Sequence, residues 1–254
     1  MLKISNLSVQ IDKKKVLNGF NLNISLGEVH AIMGPNGIGK STICKVIMGD
    51  SNYIVSSGTI IYNGEDLLKM DVTTRAKKGI FLLNQTPIEI PGVSNAEMLR
   101  MALSEKGGKL VSIFDFNKKM EETCQKLNLP KSFIHRGINE GMSGGERKKN
   151  ELLHMWMLEP KFIILDEVDS GLDVDSLKIV CDNINEYRKT HKCSILLVSH
   201  HANILKMLDV SDVHIMANGK IVKSGDLSLA LEIENNGYSA YSKANEVSEV
   251  LINE

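Results

Sequence analysis

The sequence predicts an α/β fold with a mostly parallel core sheet, a small antiparallel β subdomain and an inserted helical subdomain. Three observations lead to this prediction. Apolar runs of strand length alternate with segments of helical spacing, which is typical of a parallel sheet covered on both faces. Two strand patterns precede the first of these runs. The interval from 87 to 156 shows helical spacing and no strong strand.

The predicted antiparallel strands come first along the chain. Residues 2–11 and 22–24 have strand patterns and precede the turn Leu26-Gly27-Glu28. Residues 59–62 form a further predicted strand, and Asn63-Gly64 after it is a hairpin signal. Together these segments predict a small antiparallel sheet beside the main one.

The core strands are predicted by mostly apolar runs, since a strand buried on both faces has no polar side. Helices are expected between them at 42–48 and 177–187, and Asn218-Gly219 predicts a second hairpin between strands 213–216 and 220–223. The tail from 227 to 254 is expected to hold a helix, a loop and a frayed end. The predicted core strands are 29–33, 80–83, 162–165 and 194–198, of which 80–83 and 162–165 are fully apolar.

The interval between the second and third apolar runs is expected to be helical, with helices at 95–103, at 116–127 and from Ser143 to Trp156. We therefore predict one domain over residues 1–254. Residues 1–86 and 157–226 form its α/β core, 87–156 its helical subdomain and 227–254 a C-terminal helical tail.

Composition excludes several classes of protein. The chain has 254 residues, 43% hydrophobic and 24% charged, with a formal net charge of −1, so neither a nucleic-acid surface nor a polybasic membrane attachment is expected. The basic run Arg147-Lys148-Lys149 is interpreted as a solvated face. Four widely spaced cysteines predict no zinc, disulfide or iron–sulfur ligand set within this chain. With no apolar run near ~18 residues and no leader pattern, a cytoplasmic protein is expected.

The first motif that indicates a chemical function is Gly-Pro-Asn-Gly-Ile-Gly-Lys-Ser-Thr at 34–42. It follows the run 29–33 and leads into a predicted helix. This is G-x-x-x-x-G-K-[ST] in its required strand–loop–helix context. The alternative, a turn that only redirects the chain, does not require all four fixed positions. Backbone N–H groups and a helix N-terminus would surround a phosphate chain, with Lys40 between the β- and γ-phosphates and the Ser41 hydroxyl on Mg²⁺. The expected binding residues are Gly34, Pro35, Asn36, Gly37, Ile38, Gly39, Lys40, Ser41 and Thr42.

Two acidic residues, Asp166 and Glu167, directly follow the run 162–165. An acidic residue at the end of a buried strand beside a phosphate loop holds Mg²⁺ in nucleotidases of this kind, and we assign that role to Asp166. Glu167 is then placed to accept a proton from the attacking water. The alternative is a pair of solvated carboxylates.

Ser143-Gly144-Gly145-Glu146 has two compatible interpretations. Ser143 and Glu146 match a capping box at the start of a helix. Two glycines in the first turn weaken a helix by roughly 1 kcal/mol each, yet they let an anion approach the backbone closely. The segment is therefore predicted both to cap the helix and to bind phosphate.

With Asp166-Glu167 downstream, this segment resembles the signature of ABC-type ATPases. The resemblance implies a transient, ATP-dependent head-to-tail homodimer in which Ser143, Gly144 and Gly145 of one chain close over the γ-phosphate held by the other. It also implies that Gln85 reaches Mg²⁺ and the water and that Asp173 lies in the loop joining the two sites. His200 would contact the γ-phosphate; spacing alone does not separate it from His201, but the family pattern of Ser/Thr followed by His does.

Longer stretches resemble one group of this family, the SufC-type ATPases of the SUF iron–sulfur cluster assembly system. The most specific is Gln-Thr-Pro-Ile-Glu-Ile-Pro-Gly-Val-Ser-Asn at 85–95. The resemblance implies SufB- and SufD-like scaffold partners, no direct membrane insertion, and ATP-driven dimerisation that remodels the scaffold. The alternative is the cytosolic ATP-binding subunit of an ABC membrane transporter, which has the same hydrolysis site. A DNA-maintenance ATPase is excluded because 42–142 has no heptad run or cysteine pair.

The sequence departs from the family pattern at the residues expected to stack on the adenine base of ATP. Many ABC ATPases stack adenine on an aromatic residue of the early strand region, whereas residues 8–17 offer only Val9, Ile11 and Val16. We therefore expect GTP to compete with ATP.

Overall fold

The structure is a computed structural model that describes residues 1–242. Its strands are β1 (Leu2–Ile11), β2 (Lys14–Ile24), β3 (Val29–Met33), β4 (Ile54–Tyr62), β5 (Glu65–Asp66), β6 (Ile80–Leu83), β7 (Ile90–Ser94), β8 (Gly137–Ile138), β9 (Phe162–Asp166), β10 (Ser194–Val198), β11 (Asp212–Ala217) and β12 (Lys220–Gly225). Its α-helices are α1 (Lys40–Met48), α2 (Val72–Lys77), α3 (Asn95–Gly107), α4 (Ile113–Lys126), α5 (Gly144–Leu158), α6 (Val174–Thr190), α7 (Ala202–Met207), α8 (Leu227–Asn236) and α9 (Ser239–Ser242).

The core is a six-stranded sheet in the order β12-β11-β3-β10-β9-β6. All neighbours are parallel except the β11–β12 hairpin, so the predicted mostly parallel sheet is confirmed. Every residue of β3, β9 and β10 is buried, which explains why most of their residues are apolar. Because the strands are parallel, the residues that follow β3, β6, β9 and β10 meet at one edge of the sheet.

The two faces of this sheet are covered by different layers. Ile32 and Ile164 pack with α1 and with β1, β2 and β4 in one hydrophobic cluster. Ala31 and Ile163, one residue earlier on the same strands, pack with α5, α6, α7 and α8 in the other. Successive side chains of a strand point to opposite faces, and this alternation places the phosphate-loop helix on one face and the long helices on the other.

The predicted antiparallel sheet is also confirmed, in the order β2-β1-β4-β5 with every pair antiparallel. The Asn63-Gly64 turn has positive φ at both residues, as a two-residue hairpin requires. β2 and β4 are longer than the predicted 22–24 and 59–62. The residues of β2 and β4 that were not predicted do not alternate regularly between apolar and polar. They pair with β1 through shifts in register, and some of their positions are polar and exposed.

The interval 87–156 differs from its prediction in one respect. Helices α3, α4 and α5 occupy most of it, but it also contains two short strands, whereas the sequence predicted no strong strand there. β7 and β8 form a two-stranded antiparallel sheet. β7 includes Pro91 and Gly92, and all but one of its residues are exposed, so it carries no apolar pattern that would predict it. The helices α2 and α7, of six residues each, were also not predicted, because one and a half turns carry too little periodicity.

The predicted tail covers 227–254. Its described part contains α8 and α9, and the remainder of that prediction lies outside the described residues. Across residues 1–242, no helix is both long enough and apolar enough to cross a membrane.

Candidate active site

The phosphate loop runs from the end of β3 to the start of α1, as predicted. Gly34 leaves no room for a side chain, because a Cβ there would lie 2.5 Å from the carbonyl oxygen of Met216. Gly39 is the N-cap of α1 with φ 104°, a conformation that L side chains rarely adopt. These two glycines let the loop curl tightly beneath the N-terminus of α1.

Lys40 closes the loop on itself. Its Nζ donates to the carbonyl oxygens of Gly34 and Pro35, each at 2.9 Å, and the residue is only 4% exposed. Burial lowers the pKa of Lys40, and the carboxylates of Glu167 and Asp166 oppose that shift. A buried cation held at the mouth of a glycine loop is suited to a phosphate chain.

Ser41 and Asp166 lie together on neighbouring elements, since α1 packs against β9. Ser41 Oγ donates to Asp166 Oδ1 at 2.8 Å. Burial raises the pKa of Asp166, and the hydrogen bond from Ser41 opposes the rise. A hydroxyl and a carboxylate oxygen fit Mg²⁺, which binds few protein ligands and takes the rest from phosphates and water. Within residues 1–242, no group of three or more His, Cys, Asp or Glu is arranged to hold a metal.

Glu167 contacts the other two residues predicted to be catalytic, Gln85 and His200, and it also lies near Lys40. Its Oε2 accepts from Gln85 Nε2 at 2.9 Å, and its Oε1 lies 3.3 Å from His200 Nε2 and 3.9 Å from Lys40 Nζ. Each of these residues follows a different strand or belongs to the phosphate loop. Glu167 itself has φ 47°, and its N–H donates to Val198 O at 2.9 Å, which turns its side chain over the sheet edge.

Two effects lower the pKa of His200. Burial is the larger and the nearby Lys40 is the smaller, and the carboxylate of Glu167 opposes both. A neutral imidazole with Nε2 facing Glu167 can carry its proton on that nitrogen and donate it in a hydrogen bond.

The segment Ser143–Glu146 forms the predicted capping box at the start of α5. Glu146 N–H donates to Ser143 Oγ at 3.3 Å, and Ser143 N–H donates to Glu146 Oε2 at 2.9 Å. The first turn of α5 lines a cavity of about 280 Å³. Its wall also includes Gln85, Met142, Gly144 and the segment Ser170-Gly171-Leu172.

Asp173 has a structural role within this chain. It is the N-cap of α6, with Oδ1 accepting from Ser176 N–H at 2.7 Å and Oδ2 from Ser176 Oγ at 3.1 Å. Gly145 lies beside it, since a Cβ there would be 3.6 Å from Ser176 Oγ. The N-termini of α5 and α6 are therefore adjacent.

The interpretation of Arg147-Lys148-Lys149 as a solvated face is wrong for Lys148, which is buried. It is 3% exposed and forms an ion pair with Glu151 at 3.0 Å. Lys148 Nζ also donates to the carbonyl oxygen of Asn84, and Asn84 N–H donates to Glu151 Oε1 at 3.0 Å. The pair binds the backbone immediately before Gln85 to α5. Spacing of i, i+3 is its only sequence signal, and that spacing is common on exposed helices.

Ser199 is a second residue that the sequence did not indicate. It is fully buried, and its hydroxyl donates to Asp169 Oδ2 at 2.7 Å while accepting from His201 N–H at 3.0 Å. The backbone on both sides of His200 is thereby fixed to the segment that follows Glu167.

Comparisons with known proteins identify the family of the chain. The family described as ABC transporter matches residues 17–170. The probable ATP-dependent transporter SufC of Escherichia coli is 45% identical over 242 residues, covering 94% of this chain and 97% of the relative. The probable ATP-dependent transporter slr0075 of Synechocystis is 46% identical and covers 94% of both chains.

A solved structure shares the fold. The ATP-binding cassette MJ0796, solved as a dimer in a post-hydrolysis state with ADP and Pi, superimposes with a TM-score of 0.76 at 21% identity, covering 89% of this chain and 99% of that chain. The chain therefore belongs to the ABC family of ATPases, in the group that includes the SufC protein of Escherichia coli.

Proposed function

We propose that this ATPase is the ATP-hydrolysing subunit of a SufBCD-type iron–sulfur cluster assembly complex, in which ATP-driven head-to-tail dimerisation remodels a SufB–SufD scaffold. The observation that carries the hydrolytic part is the position of Glu167, which contacts Gln85, His200 and Lys40 at the edge of the sheet. The similarity to E. coli SufC supports the choice of complex.

In this mechanism the phosphate loop binds the triphosphate and Lys40 neutralises its β- and γ-phosphates. Ser41, Asp166 and Gln85 would hold Mg²⁺, which would supply charge neutralisation at the phosphates. Glu167 accepts a proton from the attacking water, and Gln85 orients that water. His200, whose Nε2 lies 3.3 Å from Glu167 Oε1, would contact the γ-phosphate.

The second half of the site comes from another copy of the chain. We assign Ser143, Gly144 and Gly145 to the γ-phosphate of the partner copy and Asp173 to the contact between the copies. Support comes from the adjacent N-termini of α5 and α6, because two helix N-termini side by side favour an anion. The related cassette MJ0796 was solved as a dimer.

The scaffold would bind at the segment 86–95, which follows Gln85. Three of its apolar side chains are exposed, namely Ile88 at 71%, Ile90 at 43% and Val93 at 38%. The segment is also fixed to the loop before α5 and to α5 itself. Asn139 Nδ2 donates to Ile88 O at 2.7 Å, and Arg147 pairs with Glu89 at 3.2 Å. Movement of the signature segment would therefore reach the partner-facing surface directly.

A second candidate is the ATP-binding subunit of a membrane transporter, which is supported by the names of the relatives as probable ATP-dependent transporters. The same exposed segment would then face a membrane protein. In either case we assign 1–86 and 157–226 to the nucleotide-binding core, 87–156 to the partner-binding subdomain and 227–254 to the tail. We place the protein in the cytoplasm.

The test uses a charge in the middle of the exposed segment. Ile88→Asp should abolish co-purification with SufB- and SufD-like scaffold proteins and leave the basal ATPase within about twofold, because Ile88 does not touch the phosphate loop. Leu26→Asp is the matched control. Leu26 is 58% exposed but lies in the turn before β3, at the opposite edge of the parallel sheet. Equal scaffold binding by the two variants would contradict the assignment of this surface.

A further inference from the structure

The loop that carries His200 is held from two sides. On one side, Ser199 Oγ bonds to Asp169, as described above. On the other side, the loop leads into α7, whose first residue is Ala202. The N–H of a first helical residue has no partner inside its own helix, and His201, at the N-cap position of α7, makes no side-chain capping bond.

Glu234 of α8 supplies the missing bond. Its Oε1 accepts from Ala202 N–H at 2.6 Å, across a sequence separation of 32 residues. A carboxylate at a helix N-terminus is also favoured by the helix dipole. The loop from Ser199 to Ala202 is therefore anchored at its first residue by Asp169 and at its last residue by Glu234, with His200 between the two anchors.

The same C-terminal segment reaches the phosphate loop. Burial raises the pKa of the Tyr238 hydroxyl, and a hydrogen bond with the backbone of Gly34, the first residue of the loop, opposes that rise. Leu229, Ala230 and Ile233 of α8 are buried in the core, so α8 is a fixed base rather than a loose appendage. One segment thus contacts both the phosphate loop and the His200 loop.

We propose that residues 226–238 are a positioning element for the ATPase site, and that Glu234 is the residue that positions His200. Glu234 does not touch the nucleotide; it fixes the backbone on which His200 is carried. The inference rests on the proposed role of His200 at the γ-phosphate. Any ligand or partner that draws Glu234 away from Ala202 would lower turnover without occupying the active site.

α8 also offers a matched control. Glu232 lies two residues before Glu234 on the same exposed helix, but it bonds outward to Lys223 at 3.4 Å and to the Tyr241 hydroxyl at 2.9 Å. Replacing either glutamate by alanine removes one carboxylate and its hydrogen bonds. Only Glu234→Ala frees the His200 loop.

The experiment compares Glu234→Ala, Glu234→Gln and Glu232→Ala in the full-length chain. We expect kcat for ATP to fall about fivefold in Glu234→Ala, which corresponds to the loss of one helix cap, with KM changed by less than about twofold. Glu234→Gln should recover most of kcat, because its amide oxygen still accepts the Ala202 N–H. Glu232→Ala should match the wild type.

Hydrogen exchange supplies a readout that does not depend on hydrolysis. Backbone amides of 199–207 should exchange faster in Glu234→Ala than in Glu232→Ala, with Tm values that agree within about 3 °C. Equal exchange in the two variants overturns the inference, whatever the ATPase rates. Faster exchange in Glu234→Ala with unchanged kcat overturns the positioning role of Glu234. A wild-type chain with no ATPase activity contradicts the proposed function instead, and the exchange result then still tests the contact between Glu234 and Ala202.

Discussion

The stability of the helical region should decrease sharply below pH 6.5 because of His154. This residue of α5 is buried, and its Nε2 faces Asn95 Oδ1 at 2.7 Å. Asn95 Nδ2 donates to Phe133 O at 2.9 Å, which fixes the orientation of the amide, so His154 Nε2 must be the donor. Protonation would add a charge in a buried site, and this burial lowers the pKa of His154 to about 4.

The size of the effect follows from the two pKa values. The unfolded chain binds the proton with a pKa of about 6.5, whereas the folded chain does so at about 4. Since the folded pKa is the lower one, the neutral ring contributes its full stability above pH 6.5 and loses it as the pH falls towards 4. At pH 5 the loss is about 2 kcal/mol relative to pH 7.

The assay is urea unfolding of the wild type and of His154→Gln at pH 7 and pH 5. Glutamine does not titrate, and its side-chain amide can donate to Asn95 Oδ1. The free energy of unfolding should therefore decrease between the two pH values by about 2 kcal/mol less in the variant than in the wild type. Equal decreases in the two proteins would refute the assignment of a neutral, buried His154.

Three other perturbations test the nucleotide site and its support. Gly34→Ala should weaken ATP binding at least about tenfold, because its Cβ would lie 2.5 Å from Met216 O; isothermal titration measures this. Arg75→Met should destabilise the fold by about 3 kcal/mol in urea unfolding, because Arg75 donates to the carbonyl oxygens of Val46 and Ile47 at the end of α1. GTP should compete with ATP in a nucleotide titration, since the side chain from β2 nearest to Gly39 is the aliphatic Val16.

Controls and contrary outcomes are available for each. Gly107→Ala places a Cβ with nothing within 4 Å and should leave ATP binding unchanged; equal effects of the two glycine variants would contradict the steric argument. Lys69→Met removes a cation whose side chain is 83% exposed and should change stability by less than about 0.5 kcal/mol. A larger loss of stability in Lys69→Met than in Arg75→Met would contradict the view that the buried hydrogen bonds of Arg75 stabilise the fold. Strict selectivity for ATP would contradict the expectation about GTP.

Most of the core could be predicted because its signals are local. The phosphate loop, β3 and α1 are contiguous in the sequence. The strands β6, β9 and β10 are apolar except for Asp166 at the end of β9 and Ser194 at the start of β10, because both of their faces are covered. Asp166, Glu167 and His200 follow such strands, and parallel pairing places the ends of those strands at one edge. The local sequence pattern was therefore sufficient to predict that these residues lie close together.

The parts that were missed depend on distant contacts. Lys148 has the sequence surroundings of a solvated helix, and its burial results from the approach of Asn84 and Glu151. β7 exists because β8, more than 40 residues later, pairs with it, and its own residues show no strand pattern. Glu234 likewise resembles any exposed glutamate of an amphipathic helix. Only the fold places its carboxylate at the N-terminus of α7.

The central claim is that hydrolysis requires two copies that close on ATP, and Glu167→Gln tests it most directly. This variant keeps a side chain that can bond Gln85 and His200 but cannot accept the proton of the attacking water, so the closed state should accumulate. Gel filtration with light scattering should show a dimer of Glu167→Gln with ATP and Mg²⁺, and a monomer when Lys40→Ala is added. A Glu167→Gln chain that binds ATP yet stays monomeric would contradict the account.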